Sequence, residues 1–293
     1  MITMIITNPN RNEVPGNIRD PMVFLWEDRY YLVATSPAFW TGYTPGVKLW
    51  SSDDLVEWKF ESLLISADDI PEECNLKERF WAPEILCHNG RFYLTVNGLN
   101  SAVGDKLHSY FAVADAVTGP YKLFTKPIVD HPSNDASLFV DDDGKVYVTC
   151  SWNDLLMFEI DLETGRAITE PRVIASPGKE GEWDCGPHIE GSFVVKRNGI
   201  YYVWYSSPGR GYEMGWYTTD SLDHPFKKYS DEPILSGLGT DFPQAGHNGC
   251  FKLRDGRDAV SFHVHDHGGQ ELLAFDIVTY PMRPRKISTQ IEI

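Results

Sequence analysis

The stretch His188-Ile-Glu-Gly-Ser-Phe-Val-Val-Lys-Arg-Asn-Gly-Ile-Tyr-Tyr-Val-Trp-Tyr-Ser206 decides how this chain is read. An apolar run, Phe193 to Val195, leads into a turn at Lys196-Arg-Asn-Gly199. An aromatic strand, Ile200 to Ser206, follows it. Together they predict a β-hairpin preceded by the polar loop Glu180 to Pro187. A carboxylic acid at the mouth of such a hairpin, Glu190, stands where burial can raise its pKa and make it a general acid. A single glutamate is more often a solvated surface charge. The weight comes from recurrence, because the same unit returns along the chain.

Working outward, four more units share the plan of strand, tight turn, aromatic or apolar strand, third strand and short fourth segment. The first runs from Asp20-Pro-Met-Val-Phe-Leu-Trp26 through the turn at Glu27-Asp-Arg29. The second opens on Phe80-Trp-Ala-Pro-Glu-Ile-Leu86 and the third on Asn134-Asp-Ala-Ser-Leu-Phe-Val140. The fifth opens on Gly246-His-Asn-Gly-Cys-Phe251. Marked by Asp20, Pro83, Asp135, Glu190 and His247, the units are spaced by 63, 52, 55 and 57 residues. Repeats of roughly 50 residues with about four strands each predict a β-propeller. Five blades fill the 293 residues, so the expectation is an all-β, five-bladed propeller forming one catalytic domain over 1–293. The apolar segment Met4-Ile-Ile-Thr7 is expected to pair with the last blade and close the ring.

Composition bounds the function. Acidic residues number 42 against 26 lysines and arginines, a net charge of −16. Nucleic-acid and membrane partners are therefore not expected, since both need a cationic face. The five cysteines are odd in number and widely spaced, without a Cys-x-x-Cys. They read as buried thiols in a reducing compartment. The N-terminus lacks the pattern of a secretory signal, which points to the cytoplasm. Nothing in the sequence bears on oligomeric state.

First strands of propeller blades line the central channel, so residues at matching positions converge. Asp20, Asp135 and Glu190 are thereby expected to meet. Three facing carboxyls cannot all ionise cheaply, and their pKa values are driven apart. One then serves as an acid and another as a base, as glycoside hydrolysis requires. Against this stands the plainer reading of turn caps and partners of Arg19.

The ordered set Arg19-Asp-Pro21, Trp81-Ala-Pro-Glu-Ile85, Asp135 to Gly144, Glu190-Gly191 and Gly246-His-Asn248 resembles glycoside hydrolase family 43. The resemblance spans nearly the whole chain. It implies a five-bladed propeller glycosidase acting on arabinose- or xylose-containing oligosaccharides, with a small carbohydrate as its partner. It implies Asp20 as general base, Glu190 as general acid, and Asp135 as the group that orients and tunes the acid; an ionised Asp135 would by its charge help keep Glu190 protonated. It also implies inversion, with base and acid roughly 6.5–9.5 Å apart. An exo-acting α-L-arabinofuranosidase or β-xylosidase-like enzyme is the leading expectation. The alternatives are a related propeller cleaving galactosides or fructosides, and a sugar-binding propeller without turnover.

Two departures stand out. Ala136 occupies a position where the family usually has proline. The fifth unit carries His263, His265 and His267 where xylosidase-like members often place a sugar-binding arginine nearby. By the same resemblance, His247 is a candidate ligand for calcium held mostly through waters, or a sugar contact. A lone imidazole makes a weak site for a hard cation. Phe39, Trp40 and Trp81 lie near blade-opening loops and are candidate sugar platforms, since sugar CH faces stack on rings.

Overall fold

The computed structural model describes residues 4–5, 17–104, 106–265, 269 and 271–287. His267 falls outside them. Within them the chain forms five antiparallel sheets arranged as a five-bladed β-propeller. Inner strands are Arg19–Trp26, Arg79–His88, Asn134–Val140, Glu190–Arg197 and Gln244–Lys252. Each pairs with the strand after it through the tight turns expected from the sequence. The ring is closed as anticipated. Met4–Ile5 pairs with Glu271–Val278, Met4 opposite Phe275, so the start of the chain supplies the outer strand of blade 5.

Strands in a propeller are buried on both faces, and the apolar residues form five clusters, one at each blade junction. Val33 and Leu49 meet Phe80 and Leu94 between blades 1 and 2. Phe111 meets Val148 between blades 2 and 3, and Met157 meets Tyr205 between blades 3 and 4. Trp204 and Trp216 pack on Phe262 between blades 4 and 5. Trp50 and Leu32 meet Phe275 across the seam. No cluster belongs to a single blade, so each sheet depends on both neighbours.

Every inner strand breaks register at the same place. Pairing slips between Arg19 and Met22, Trp81 and Glu84, Asn134 and Ser137, Glu190 and Phe193, and Gly246 and Gly249. Bulges re-aim side chains and often sit beside active sites. At each one a residue takes a left-handed φ: Asp20 52°, Ala82 42°, Asp135 53°, Gly191 60° and His247 54°. Only blade 4 uses glycine, and strain at a non-glycine position costs about 1–3 kcal/mol. The blade markers Pro83 and Glu190 are therefore each one residue from the true equivalents, Ala82 and Gly191.

A second ring supports the first. Opposite the residue before each bulge stands a buried polar side chain of the second strand: Thr35, Asn97, Ser151, Ser206 and His263. Four of these hold the next blade's bulge. Thr35 Oγ1 accepts the Ala82 N–H at 2.7 Å, and Ser206 Oγ accepts that of His247 at 2.8 Å. His263 Nδ1 accepts the Asp20 N–H at 3.1 Å, and Asn97 Nδ2 donates to Asp135 Oδ1 at 3.4 Å. In the remaining blade, the Gly191 N–H donates to Asp135 Oδ2 at 3.1 Å.

Candidate active site

The bulges bring the predicted residues together at one end of the channel. A cavity of about 430 Å³, counting its open mouth, is lined by Arg19, Asp20, Trp40, Trp81, Leu107, Asn134, Asp135, Glu190 and His247. All five blades contribute. Asp20, Asp135 and His247 stand at bulge positions of blades 1, 3 and 5. Arg19, Trp81, Asn134 and Glu190 stand one residue earlier in blades 1 to 4. Two register positions, repeated around the ring, thus furnish seven of the nine lining residues.

Asp20 is buried, 7% exposed, and well partnered. Thr35 donates to its Oδ2 at 2.7 Å, and His247 Nδ1 lies 3.2 Å from Oδ1. Burial pushes its pKa up, but His247 and Arg19 beside it and the Thr35 hydrogen bond bring it below the ordinary carboxylate range. Asp135, 4% exposed, goes the other way. Burial raises its pKa well above the usual value, and the charges of Glu190 and Asp20 add to this against the Gly191 N–H. The carboxyls are driven apart, as expected.

At Glu190 the direction runs opposite to the raised pKa expected of an acid. Its Oε1 accepts from Tyr212 at 3.0 Å, and its Oε2 lies 3.3 Å from His188 Nε2 and 3.5 Å from Asn134 Nδ2. Burial pushes its pKa up, yet the His188 hydrogen bond and charge bring it below the ordinary value. The His188 pKa is correspondingly raised by that hydrogen bond. These directions favour the proton on Asp135 and the ionised form of Glu190 beside His188.

Trp40 is 66% exposed and lies 6.1 Å, centroid to centroid, from Trp81. Both rings line the cavity. Phe39 does not. Its carbonyl accepts from Trp81 Nε1 at 2.9 Å, so its described contribution is to hold the neighbouring indole. Arg19, Asn134 and Leu107 were missed as site residues. For Arg19 and Asn134 the signal existed: each precedes a blade-opening aspartate, as Ile189-Glu190 precedes Gly191.

The donor set fits calcium poorly. His247 Nδ1 faces Asp20 Oδ1 and lies 3.8 Å from Asp135 Oδ2, which leaves one ring nitrogen for a cation that prefers six to eight oxygens. Among the described residues, the single group of three His, Cys, Asp or Glu side chains spaced for a metal is His263, His265 and Glu271. There, the Asp20 N–H on His263 Nδ1 puts the imidazole proton on Nε2. A neutral His263 in this tautomer has no lone pair to offer at Nε2.

Fold and pocket together define a class, the propeller with a carboxylate-lined mouth. The family model "Glycosyl hydrolases family 43" matches residues 9–275, and the chain belongs to that family. It is 29% identical over 275 residues to Xylosidase/arabinosidase 43B of Humicola insolens, covering 84% of this chain and 47% of that protein. It is 28% identical over 265 residues to a β-D-galactofuranosidase of Aspergillus niger, covering 83% and 72%. A thermostable family-43 glycoside hydrolase of known structure superposes with a TM-score of 0.76 at 28% identity, covering 90% of each chain. The chain spans about half the length of most of the curated relatives it matches.

Proposed function

We propose that the chain is an exo-acting, inverting glycoside hydrolase that removes a terminal arabinofuranosyl or xylosyl residue from short oligosaccharides. The observation that carries this is the convergence of three carboxyls, Asp20, Asp135 and Glu190, on one cavity. Their surroundings push Asp20 below the ordinary carboxylate range and Asp135 above it. A cavity ringed by all five blades suits the end of a sugar chain better than its middle. Relatives named for xylosidase and arabinosidase activity support the two sugars.

In the proposed reaction Asp20 is the base. It takes a proton from a water whose oxygen attacks the anomeric carbon from the face opposite the leaving group. Glu190 gives its proton to the glycosidic oxygen as that bond breaks. The proton reaches Glu190 from His188, 3.3 Å away. Substrate binding expels water, and a drier pocket favours the neutral pair of imidazole and carboxylic acid over the ion pair. Asp135 accepts the Gly191 N–H and so holds the blade 4 bulge beside Glu190. Trp40 and Trp81 offer faces for stacking. No step runs through a metal.

Proton NMR of the first product formed from nitrophenyl arabinofuranoside and xyloside tests the reading. Inversion at the anomeric carbon is expected with one of the two. Retention, or no turnover of either, overturns it. The calcium site is tested separately by exhaustive chelation, which is expected to leave kcat and Tm unchanged; a loss restored by calcium would return His247 to a metal role.

A further inference from the structure

We propose that Arg19 sets the specificity of the pocket by reading two neighbouring hydroxyls of a neutral terminal sugar, and that Glu271 with His265 positions it. The inference rests on the hydrolase reading and names what that site selects. Arg19 occupies the register position before the bulge, which in blades 2, 3 and 4 presents Trp81, Asn134 and Glu190 to the cavity. It is the one lysine or arginine among the lining residues.

The guanidinium is boxed in from two sides. Its Nη1 lies 3.3 Å from Glu271 Oε1, and its Cζ lies 5.0 Å over the Trp40 ring. Glu271 is itself fixed. Its Oε1 lies 3.3 Å from His265 Nε2, and its backbone N–H donates to Asn17 Oδ1 at 2.9 Å. The side chain of Glu271 is 9% exposed, so its carboxylate is not free to follow solvent. One carboxylate oxygen cannot use five N–H donors, and the planar fork retains edges for two adjacent oxygens. Burial raises the Glu271 pKa to about 7 against the pull of Arg19, so Glu271 compensates the charge of Arg19 in part at neutral pH and fully above it, and Asp20 lies beside Arg19. The pocket therefore disfavours an anionic sugar and favours a neutral one with a vicinal diol. A ring acylated or branched at either hydroxyl would meet the fork and Trp40, so the terminal residue must be unsubstituted there.

The test compares Arg19→Gln and Arg19→Lys with the unaltered protein on an aryl glycoside and on its 2-deoxy and 3-deoxy analogues. In the unaltered protein, removing a hydroxyl that Arg19 reads should lower kcat/KM by roughly 10- to 100-fold, the range of a hydrogen bond to a charged group. In Arg19→Gln the same deletion should cost little more than the substitution already has, and Arg19→Lys should fall between. Deoxy penalties of equal size in all three proteins would overturn the proposal. Glu271→Gln should raise KM with kcat nearly kept; an unchanged KM would remove Glu271 from the positioning role. If the unaltered protein cleaves no aryl glycoside, the hydrolase reading fails by itself. Calorimetric titration with free arabinose and xylose then still decides Arg19: binding weakened by Arg19→Gln supports the contact, and binding equal in both proteins, or absent from both, refutes it.

Discussion

At the scale of residues, the site turns on where protons reside. Asp20 and Asp135 are both buried aspartates in left-handed backbone, yet they titrate in opposite directions. The difference is in their neighbours: Thr35, His247 and Arg19 for Asp20, and two carboxylates for Asp135. Glu190 and His188 share a proton, and a pair holds its last proton more tightly than either member would alone. His188→Gln should therefore move the basic limb of the kcat/KM profile to lower pH. Asp135→Asn, close in charge to the protonated aspartic acid, should leave that limb near its original place. The reverse pattern would show that Asp135, not His188, governs the acid. The sequence made the three carboxyls legible because each opens a repeated unit. It did not reveal the direction at Glu190, because that depends on the His188 ring standing 3.3 Å away. Adjacency in sequence does not report such a distance.

At the scale of elements, the bulged inner strand is the working part of each blade. It turns two consecutive residues toward the cavity and ties their backbone to the blade before. Repeats placed the strands and turns correctly, since alternating apolar residues and Asn-Gly or Asp-Gly signals mark them. The bulge was not read from the sequence, and the blade markers fall one residue from it in blades 2 and 4. There the left-handed position is held by Ala82 and Gly191, residues that advertise no chemistry. Blade 2 departs in another way. Glu84, just past the bulge, is buried at 6% exposure, where the other blades place Met22, Ser137, Phe193 and Gly249. Burial raises its pKa to about 8, opposed by a hydrogen bond with Ser137. Its folded pKa lies above the unfolded value. The folded state thus keeps a proton that the unfolded chain loses, and stability falls as pH rises from about 4.5 to about 8. Glu84→Gln should remove this loss, raising the free energy of unfolding more at pH 8 than at pH 5, by an amount on the order of a few kcal/mol. Equal shifts at both pH values would mean that Glu84 is already compensated in the fold.

At the scale of the whole molecule, five junction cores and a closing strand hold a ring whose carboxylate-lined mouth gathers side chains from all five blades. The ring was legible from the repeat spacing, and its closure from an apolar segment at the chain start. The pocket floor was legible only in part. Arg19 reads as a routine partner of Asp20 until the register shows it beside Trp40 and Glu271 on the cavity wall. In the proposed reaction Asp20 and Glu190 act as separate base and acid across one sugar. Leaving-group dependence tests it most directly, because an acid matters most when the departing oxygen is poor and a base matters for every leaving group. The measurement is kcat/KM of Glu190→Ala and Asp20→Ala on a natural oligosaccharide and on a dinitrophenyl glycoside. Glu190→Ala should lose cleavage of the oligosaccharide and keep much more of its activity on the activated substrate, while Asp20→Ala should be poor on both. An identical response of the two variants to leaving-group quality would contradict the assignment.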